Sequence, residues 1–412
     1  MHWTLFTACS MASRKTIALG YIGVHQIFQL ALAAHEAGQL ERLYCTALDA
    51  PGKWGRLLAS LTTASSLHPL GSDGLPPERV TELPLPMLSR QAHRIFHPRT
   101  NEDYFSSNRW FDRSVARRLA KSNAGLFVGT ETCALESFHS AGGLGMKRLL
   151  DCPGIPADFL AAEVRIAAAD LGIECPVAQA SVRMRERVAA EIGAADMIVL
   201  CSEVQRDYYR KRGVPDSKMR VNPLWVDPVF TQQPLRQSAP ADGRLKALFV
   251  GHASVAKGAP YALQAVNLLR GRVTLTVCGG VDEPVRQWAG ERLAGHQILG
   301  WRPRAELAAV YHAHDVLVFP TMGDSFGFVA LEAMSCGLPV IATRNAGAPL
   351  PDESWRVPPR DAVALAKRLE LYASNRDFLA ADGARARAFV KDFTPENYRR
   401  RAIRHFDQVL TY

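Results

Sequence analysis

Two spacings of apolar residues alternate along the chain. Short continuous apolar runs predict buried strands, and stretches in which apolar residues return every three or four positions predict helices. Thr16 to Gly20 predicts a first strand, Val24 to Ala37 a helix stopped by Gly38, and Arg42 to Leu48 a second strand. Pro51 to Pro98 is rich in Pro, Gly and Ser and predicts loops with short helical pieces. Beyond it the pattern predicts a helix over Tyr104 to Lys121, a strand over Leu126 to Gly129, a helix over Glu131 to Ala141 and a strand over Arg148 to Asp151. Helices over Ala157 to Leu171 and Val182 to Ile192 follow, then a strand over Met197 to Cys201 and a helix over Val204 to Lys211.

The alternation breaks at Phe230 to Gly243, where Gln, Pro, Ser and Gly occur without a period and mark a linker. It restarts with strands over Ala247 to Val250, Val273 to Cys278, Gln297 to Leu299, Val316 to Phe319 and Pro339 to Thr343. Between them lie helices over Ala259 to Leu269, Glu283 to Ala294, Ala305 to Ala313 and Phe328 to Ser335. The expected fold is α/β, two doubly wound Rossmann-like domains facing a cleft. The first domain is read as residues 1–232, the linker as 233–243 and the second domain as 244–392. Residues 393–412 form a last helix, capped by Thr394 with Pro395 at its first position, that packs back toward the first domain. Ligands of such sheets sit at the carboxyl ends of the strands, so the cleft is the expected site.

Composition narrows this little. The 412 residues are 48% hydrophobic and 22% charged, as in ordinary globular domains, which excludes a disordered chain, a collagen and a coiled-coil rod. The net charge of +9 suits anionic partners without choosing among them. The eight cysteines are scattered with no Cys-x-x-Cys pair, as expected of reduced buried thiols in a cytoplasmic protein. The longest mostly apolar run, Phe326 to Thr343, contains Glu332 and a Gly337-Leu338-Pro339 break, so it predicts a helix, a turn and a strand rather than a membrane span. Met1 to Ser13 has its positive charges, Arg14 and Lys15, after the apolar stretch. That is the reverse of a signal peptide, and a dispensable extension is expected, with Met11 an alternative start.

The chemistry concentrates in Phe319 to Thr343. A strand runs into a loop holding Gly323, Asp324 and Gly327, and the helix beginning at Phe328 offers free N–H groups as an anion site. Glu332 sits about one turn into that helix on an otherwise apolar face, where a carboxylate needs a partner. Two acids flanking an anion site suit a ligand that carries hydroxyls and a diphosphate. The plainer reading makes Glu332 a satisfied helix acid and Asp324 a cap.

This stretch resembles the donor-site signature of family 4 (group 1) glycosyltransferases, which have the two-domain GT-B fold. Glu332-Ala-Met-Ser-Cys-Gly-Leu-Pro-Val-Ile341 matches its second half, and Asp324 stands where the family has its first Glu. The resemblance implies that Glu332 holds ribose hydroxyls, that Asp324 contacts the donor sugar, and that the backbone at Gly327, Phe328 and Val329 meets the phosphates. Leu248 to Gly258 resembles the family's first strand and loop of that domain, which implies phosphate-side roles for Gly251, His252 and above all Lys257. Leu299 to Tyr311 resembles the segment beside the base, where Trp301 or Arg302 stacks or, alternatively, Trp301 is core. Ala195 to Ser202 and Trp225-Val-Asp227 resemble the end of the family's first domain. In the Gly20-Tyr-Ile-Gly23-Val-His25 loop, Gly23 lets backbone approach the phosphates and His25 faces the acceptor or caps a helix. That loop is not a Gly-x-Gly-x-x-Gly fingerprint, which argues against a nicotinamide dehydrogenase.

The chain has no Asp-x-Asp pair and no His/Cys cluster, so neither a metal nor a cofactor is expected. Lys257 and helix N–H groups would then stabilise the departing diphosphate. The implied activity is retaining transfer of a sugar from a nucleotide-diphosphate sugar to a glycan or lipid-linked acceptor. The alternatives are a same-fold epimerase or phosphorylase, or a silent sugar-nucleotide-binding protein. Arg109, Arg113, Arg117 and Lys121, with Arg118 beside them, recur at a spacing of four and form a basic helix face. Solvation or peripheral contact with an anionic membrane accounts for such a face; no nucleic-acid motif accompanies it.

Overall fold

The computed structural model describes residues 16–22, 26–46, 74–86, 88–89, 103–174, 181–231 and 243–411. Gly23 and His25, residues 1–13, Cys9, Cys175, most of Pro51 to Pro98 and linker residues 233–242 lie outside the described residues.

Two sheets organise the chain. The first has seven strands in the order β3-β2-β1-β4-β5-β6-β7. They are β1 (Ile17–Tyr21), β2 (Leu40–Cys45), β3 (Val80–Glu82), β4 (Leu126–Thr130), β5 (Lys147–Cys152), β6 (Met197–Leu200) and β7 (Met219–Val221). The second has six, β8 (Leu245–Val250), β9 (Val273–Cys278), β10 (Gln297–Ile298), β11 (Val316–Phe319), β12 (Val340–Thr343) and β13 (Arg356–Val357), in the order β10-β9-β8-β11-β12-β13. The described pairings are parallel, and β4, β6, β11 and β12 are buried along their whole length. Both strand orders reverse direction once, at β1/β4 and at β8/β11, the switch points where doubly wound sheets open a crevice at their carboxyl edge.

The chain forms two compact units, residues 1–152, 181–199 and 399–412, and residues 153–180 and 200–398. Within the first, Arg399 of the last helix (Pro395–Thr411) donates to Glu36 at 2.9 Å and to Gln29 at 2.8 Å. Within the second, helix Ala157–Leu171 is tied down by Tyr261, whose hydroxyl donates to Asp170 at 2.7 Å, and by an Arg360–Glu163 ion pair. Cys45, Cys133, Cys152, Cys201, Cys278 and Cys336 are buried, and among the described residues they form no disulfide. Among the described residues no helix is long and apolar enough to cross a membrane.

The helix expected from Glu131 starts instead at Leu135. The turn before it is held by a buried polar cluster that hydropathy does not reveal. Glu191 accepts the N–H groups of Thr132 and Ala134 at 2.6 and 2.9 Å, and Thr132 takes φ 77°. Asp112 accepts those of Glu136 and Ser137 at 2.7 and 2.9 Å, a carboxylate cap for the helix start, and Arg187 lies between both acids. The helix expected over Glu283 to Ala294 ends at Ala289, where Gly290 at φ 44° converts it to a short 3-10 turn. Helices Ala362–Ser374 and Arg376–Val390 were not expected, nor were the edge strands β3, β7 and β13, which are two or three residues long and too short to show a period.

On helix Asp103–Leu119 and just past its end, the basic face is partly neutralised. Arg109 and Arg113 share Glu136 at 3.2 and 3.5 Å, while Arg117, Arg118 and Lys121 are exposed.

Candidate functional site

The second unit carries the predicted donor residues on loops at the carboxyl edge of its sheet. β8 runs into Gly251, His252 and Lys257 before helix Ala259–Leu268, and β11 runs into Gly323, Asp324 and Gly327 before helix Phe328–Ser335. The two loops are laced together. Met322 N–H and Thr321 Oγ1 both donate to the Ala256 carbonyl, at 2.8 and 3.1 Å, and Thr343 Oγ1 donates to Thr321 O at 2.5 Å. Gly258, at φ 72°, closes the first loop where any Cβ would overlap the Pro320 carbonyl. That contact fixes the height of Lys257 above the sheet edge.

Lys257 Nζ donates to Asp324 Oδ2 at 2.6 Å. The two residues expected to do the chemistry are therefore direct partners. Asp324 is further held by the Phe326 N–H on Oδ1, at 3.1 Å, and by backbone bonds to Asn345 and Gly347 at 3.2 and 2.8 Å. Asn345 in turn donates to Met322 O at 2.9 Å and to Glu163 at 3.1 Å.

Gly327 is the N-cap of helix Phe328–Ser335, in the left-handed conformation at φ 74°, and among the described residues no side chain caps that helix. A Cβ there would sit 2.5 Å from the Phe319 ring, so only glycine fits. The uncapped start carries partial positive charge, with half-buried Val329 and the partly exposed Phe328 at its first positions.

Glu332 is 5% exposed and sits in a polar cluster. Its Oε2 accepts from the Tyr311 hydroxyl at 2.8 Å and its Oε1 from Arg304 at 3.3 Å, while Arg304 also reaches Asp227 at 3.1 Å. Phe230 lies edge-on to Tyr311 with centroids 5.8 Å apart, and the Arg304 guanidinium sits 5.5 Å from its ring. Burial pushes the Glu332 carboxyl up, and Arg304 and Tyr311 pull it back. Burial and the Glu332 charge together push the Tyr311 phenol far up, so it stays a donor. Each Glu332 oxygen retains a second lone pair for a further hydroxyl.

Around this centre, Gly251 N–H donates to Cys278 O at 2.9 Å, and His252 Nε2 pairs with Asp282 Oδ1. Trp301 is 73% exposed, which removes the core alternative for its ring. It lies three residues before Arg304, the arginine that reaches Glu332. Sequence reasoning missed Arg304 and Tyr311. They lie seven residues apart, two turns along one face of helix Arg304–His312, and an apolar-looking helix face was their only signal.

The family described as "Glycosyl transferases group 1" matches residues 244–375, the stretch that holds the Lys257–Asp324 pair and Glu332. Residues 244–375 are thus similar to the group 1 glycosyltransferases. A D-inositol 3-phosphate glycosyltransferase of Xylanimonas cellulosilytica is 32% identical over 228 residues, 50% of this chain and 53% of that protein. The chain spans between 27% and 53% of the length of the curated relatives it matches. The sucrose-phosphate synthase of Thermosynechococcus elongatus superposes with TM-score 0.65 at 21% identity, covering 97% of this chain and 100% of that one. The Anabaena protein HepE in complex with UDP superposes with TM-score 0.61 at 14% identity, covering 95% and 100%. These likenesses establish the GT-B fold for the chain.

Proposed function

We propose that the protein is a retaining glycosyltransferase, moving a sugar from a nucleotide-diphosphate donor to a glycan or lipid-linked acceptor. The observation that carries this reading is the Lys257–Asp324 pair beside the uncapped helix start, with Glu332 buried one turn behind it. Lys257 and the N–H groups at Phe328 and Val329 receive the diphosphate, whose charge grows as the sugar departs. The second lone pairs of Glu332 take the ribose hydroxyls, with Tyr311 and Arg304 fixing its rotamer. Asp324, set by Lys257 and the Phe326 N–H, faces a donor-sugar hydroxyl. Trp301 offers an exposed ring to the base. UDP leads the candidate bases because HepE, of the same fold, was solved in complex with UDP.

The cation work falls to Lys257 and the helix start, so no metal is required in this reading. The experiment is transfer from UDP-, GDP-, ADP- and TDP-sugars to a panel of hydroxylated acceptors, with EDTA present and absent, and the anomer of the product read by NMR. The expected result is a product that keeps the donor's anomeric configuration, at a rate EDTA does not change. Loss of transfer on chelation and its return with magnesium or manganese would refute the metal-free reading. An inverted product would refute retention.

A further inference from the structure

Helix Ala157–Leu171 packs against both loops that carry the Lys257–Asp324 pair. Its Val164, Ala167 and Ala168 share one buried cluster with Val255, from the Lys257 loop, and Met322, from the Asp324 loop. Gly323 lies against the same helix: a Cβ there would meet the Phe159 and Leu160 side chains at 3.2 and 3.3 Å. Tyr261, on the helix that follows Lys257, donates to Asp170 near the far end. To these contacts Glu163 adds a polar link.

Glu163 is half-buried, and its Oε2 accepts from Asn345 Nδ2 at 3.1 Å and also from Arg360. The same Asn345 amide donates to the Met322 carbonyl at 2.9 Å. Asn345 O accepts the Asp324 N–H at 3.2 Å, and Asp324 O accepts the Gly347 N–H at 2.8 Å. Residues 345–347 therefore clamp the backbone at position 324 from both sides. The clamp fits closely: a Cβ on Gly347 would sit 2.1 Å from the Ser325 carbonyl oxygen. Through Asn345, Glu163 is one hydrogen bond away from this clamp.

The Asp324 carboxylate has little freedom of its own, since its oxygens are tied to Lys257 and to the Phe326 N–H. The short aspartate stem carries any backbone shift straight to the carboxylate, and a misplacement of about 1 Å can cost a reaction about a hundredfold. We infer that Glu163 is a positioning residue: by holding the Asn345 amide it fixes the backbone at Asp324, and with it the carboxylate beside Lys257. The effect on rate rests on the transferase reading; the brace itself does not. The rival account gives Glu163 only its ion pair with Arg360, which steadies the helix and leaves Asp324 untouched.

The test has two arms. The first is amide hydrogen exchange by NMR on the full chain without ligand, for wild type, Glu163→Ala, Glu163→Gln and Asn345→Ala. Alanine at 163 or 345 should speed exchange of the Asp324 and Gly347 amides about tenfold, the worth of one lost hydrogen bond. The Leu317 amide, bonded to Pro339 O inside the sheet, should not change. Glutamine keeps an acceptor for Asn345 but gives up the ion pair, so Glu163→Gln should exchange like wild type at 324 and 347 even where it melts lower. The second arm is steady-state transfer from UDP-, GDP-, ADP- and TDP-glucose, with UDP affinity measured by calorimetry. Glu163→Ala should lower kcat about ten- to a hundredfold with the Kd for UDP unchanged, and should add nothing in an Asp324→Asn background. Unchanged exchange at 324 and 347, equal acceleration at Leu317, a Glu163→Gln effect as large as that of Glu163→Ala, or losses additive with Asp324→Asn would overturn the role. A wild-type chain inactive with every donor defeats the transferase reading, and the exchange arm then decides the brace by itself.

Discussion

Lys257→Ala is expected to lower kcat for sugar transfer by about 10²–10³-fold, the loss seen when one preorganised charge-stabilising donor is removed. The reason is geometric. Gly258 packs against the Pro320 carbonyl, and Met322 and Thr321 both bind the Ala256 carbonyl, so the lysine stem leaves a loop with little freedom. Asp324 then fixes the ammonium at 2.6 Å. Alanine removes the cation and releases Asp324 at once. The fold should hardly notice, because the Lys257 side chain is 40% exposed and such pairs contribute at most about 1 kcal/mol. Steady-state kinetics alongside a melting curve separates the two effects. An unchanged kcat, or a collapse of Tm that accounts for the lost activity, would remove Lys257 from the chemistry.

The second large effect concerns stability. Arg187→Ala should cost the first unit about 3–5 kcal/mol, because it strips the counter-charge from two buried carboxyls. Arg187 is paired with Asp112 and lies 3.1 Å from Glu191, and all three are buried. Its Nε also donates to Thr132 O at 2.8 Å, in the turn where Thr132 takes φ 77°. Burial raises Glu191 from 4.5 to about 7 against the pull of Arg187. Between those values the folded state holds a proton that the unfolded state has released, so this group's contribution to stability declines as pH rises from 4.5 through about 7. Urea melts at several pH values would show both the loss and its direction. A midpoint shifted by less than a surface substitution would produce, about 0.5 kcal/mol, would contradict the account.

Most of the architecture was legible because parallel strands buried on both faces read as unbroken apolar runs. β11 and β12 are examples, Val316–Phe319 and Val340–Thr343. The short edge strands β3, β7 and β13 left no such trace. Helix starts were legible where a side chain caps them, as at Ser181, Ser202 and Thr394, but not at Leu135, whose cap comes from Asp112, more than twenty positions back in the chain. In the site, Asp324 and Glu332 were legible through a glycine-bearing loop and a carboxylate on an apolar face, and Lys257 through the resemblance of its loop to that of the family. Tyr311 and Arg304 did not, since nothing in a helix sequence shows which hydroxyl or guanidinium will meet an acid on another element. Glu163 and Asn345 were silent for a similar reason. A polar bridge between a helix and a loop exists only once both are placed.

In the proposed function the second unit takes a nucleoside diphosphate between Lys257 and Glu332. Calorimetric titration of UDP into the full chain and into Glu332→Gln tests it most directly. Glutamine keeps the size of the side chain but gives up charge-assisted bonds to the ribose, worth about 1.5–3 kcal/mol each, and it offers Tyr311 and Arg304 a poorer acceptor. The account predicts a 1:1 isotherm for the wild-type chain and at least about a tenfold weaker one for Glu332→Gln with its melting behaviour preserved. Equal affinity in the two proteins, or no heat of binding from UDP, GDP, ADP or TDP in the wild type, would contradict it.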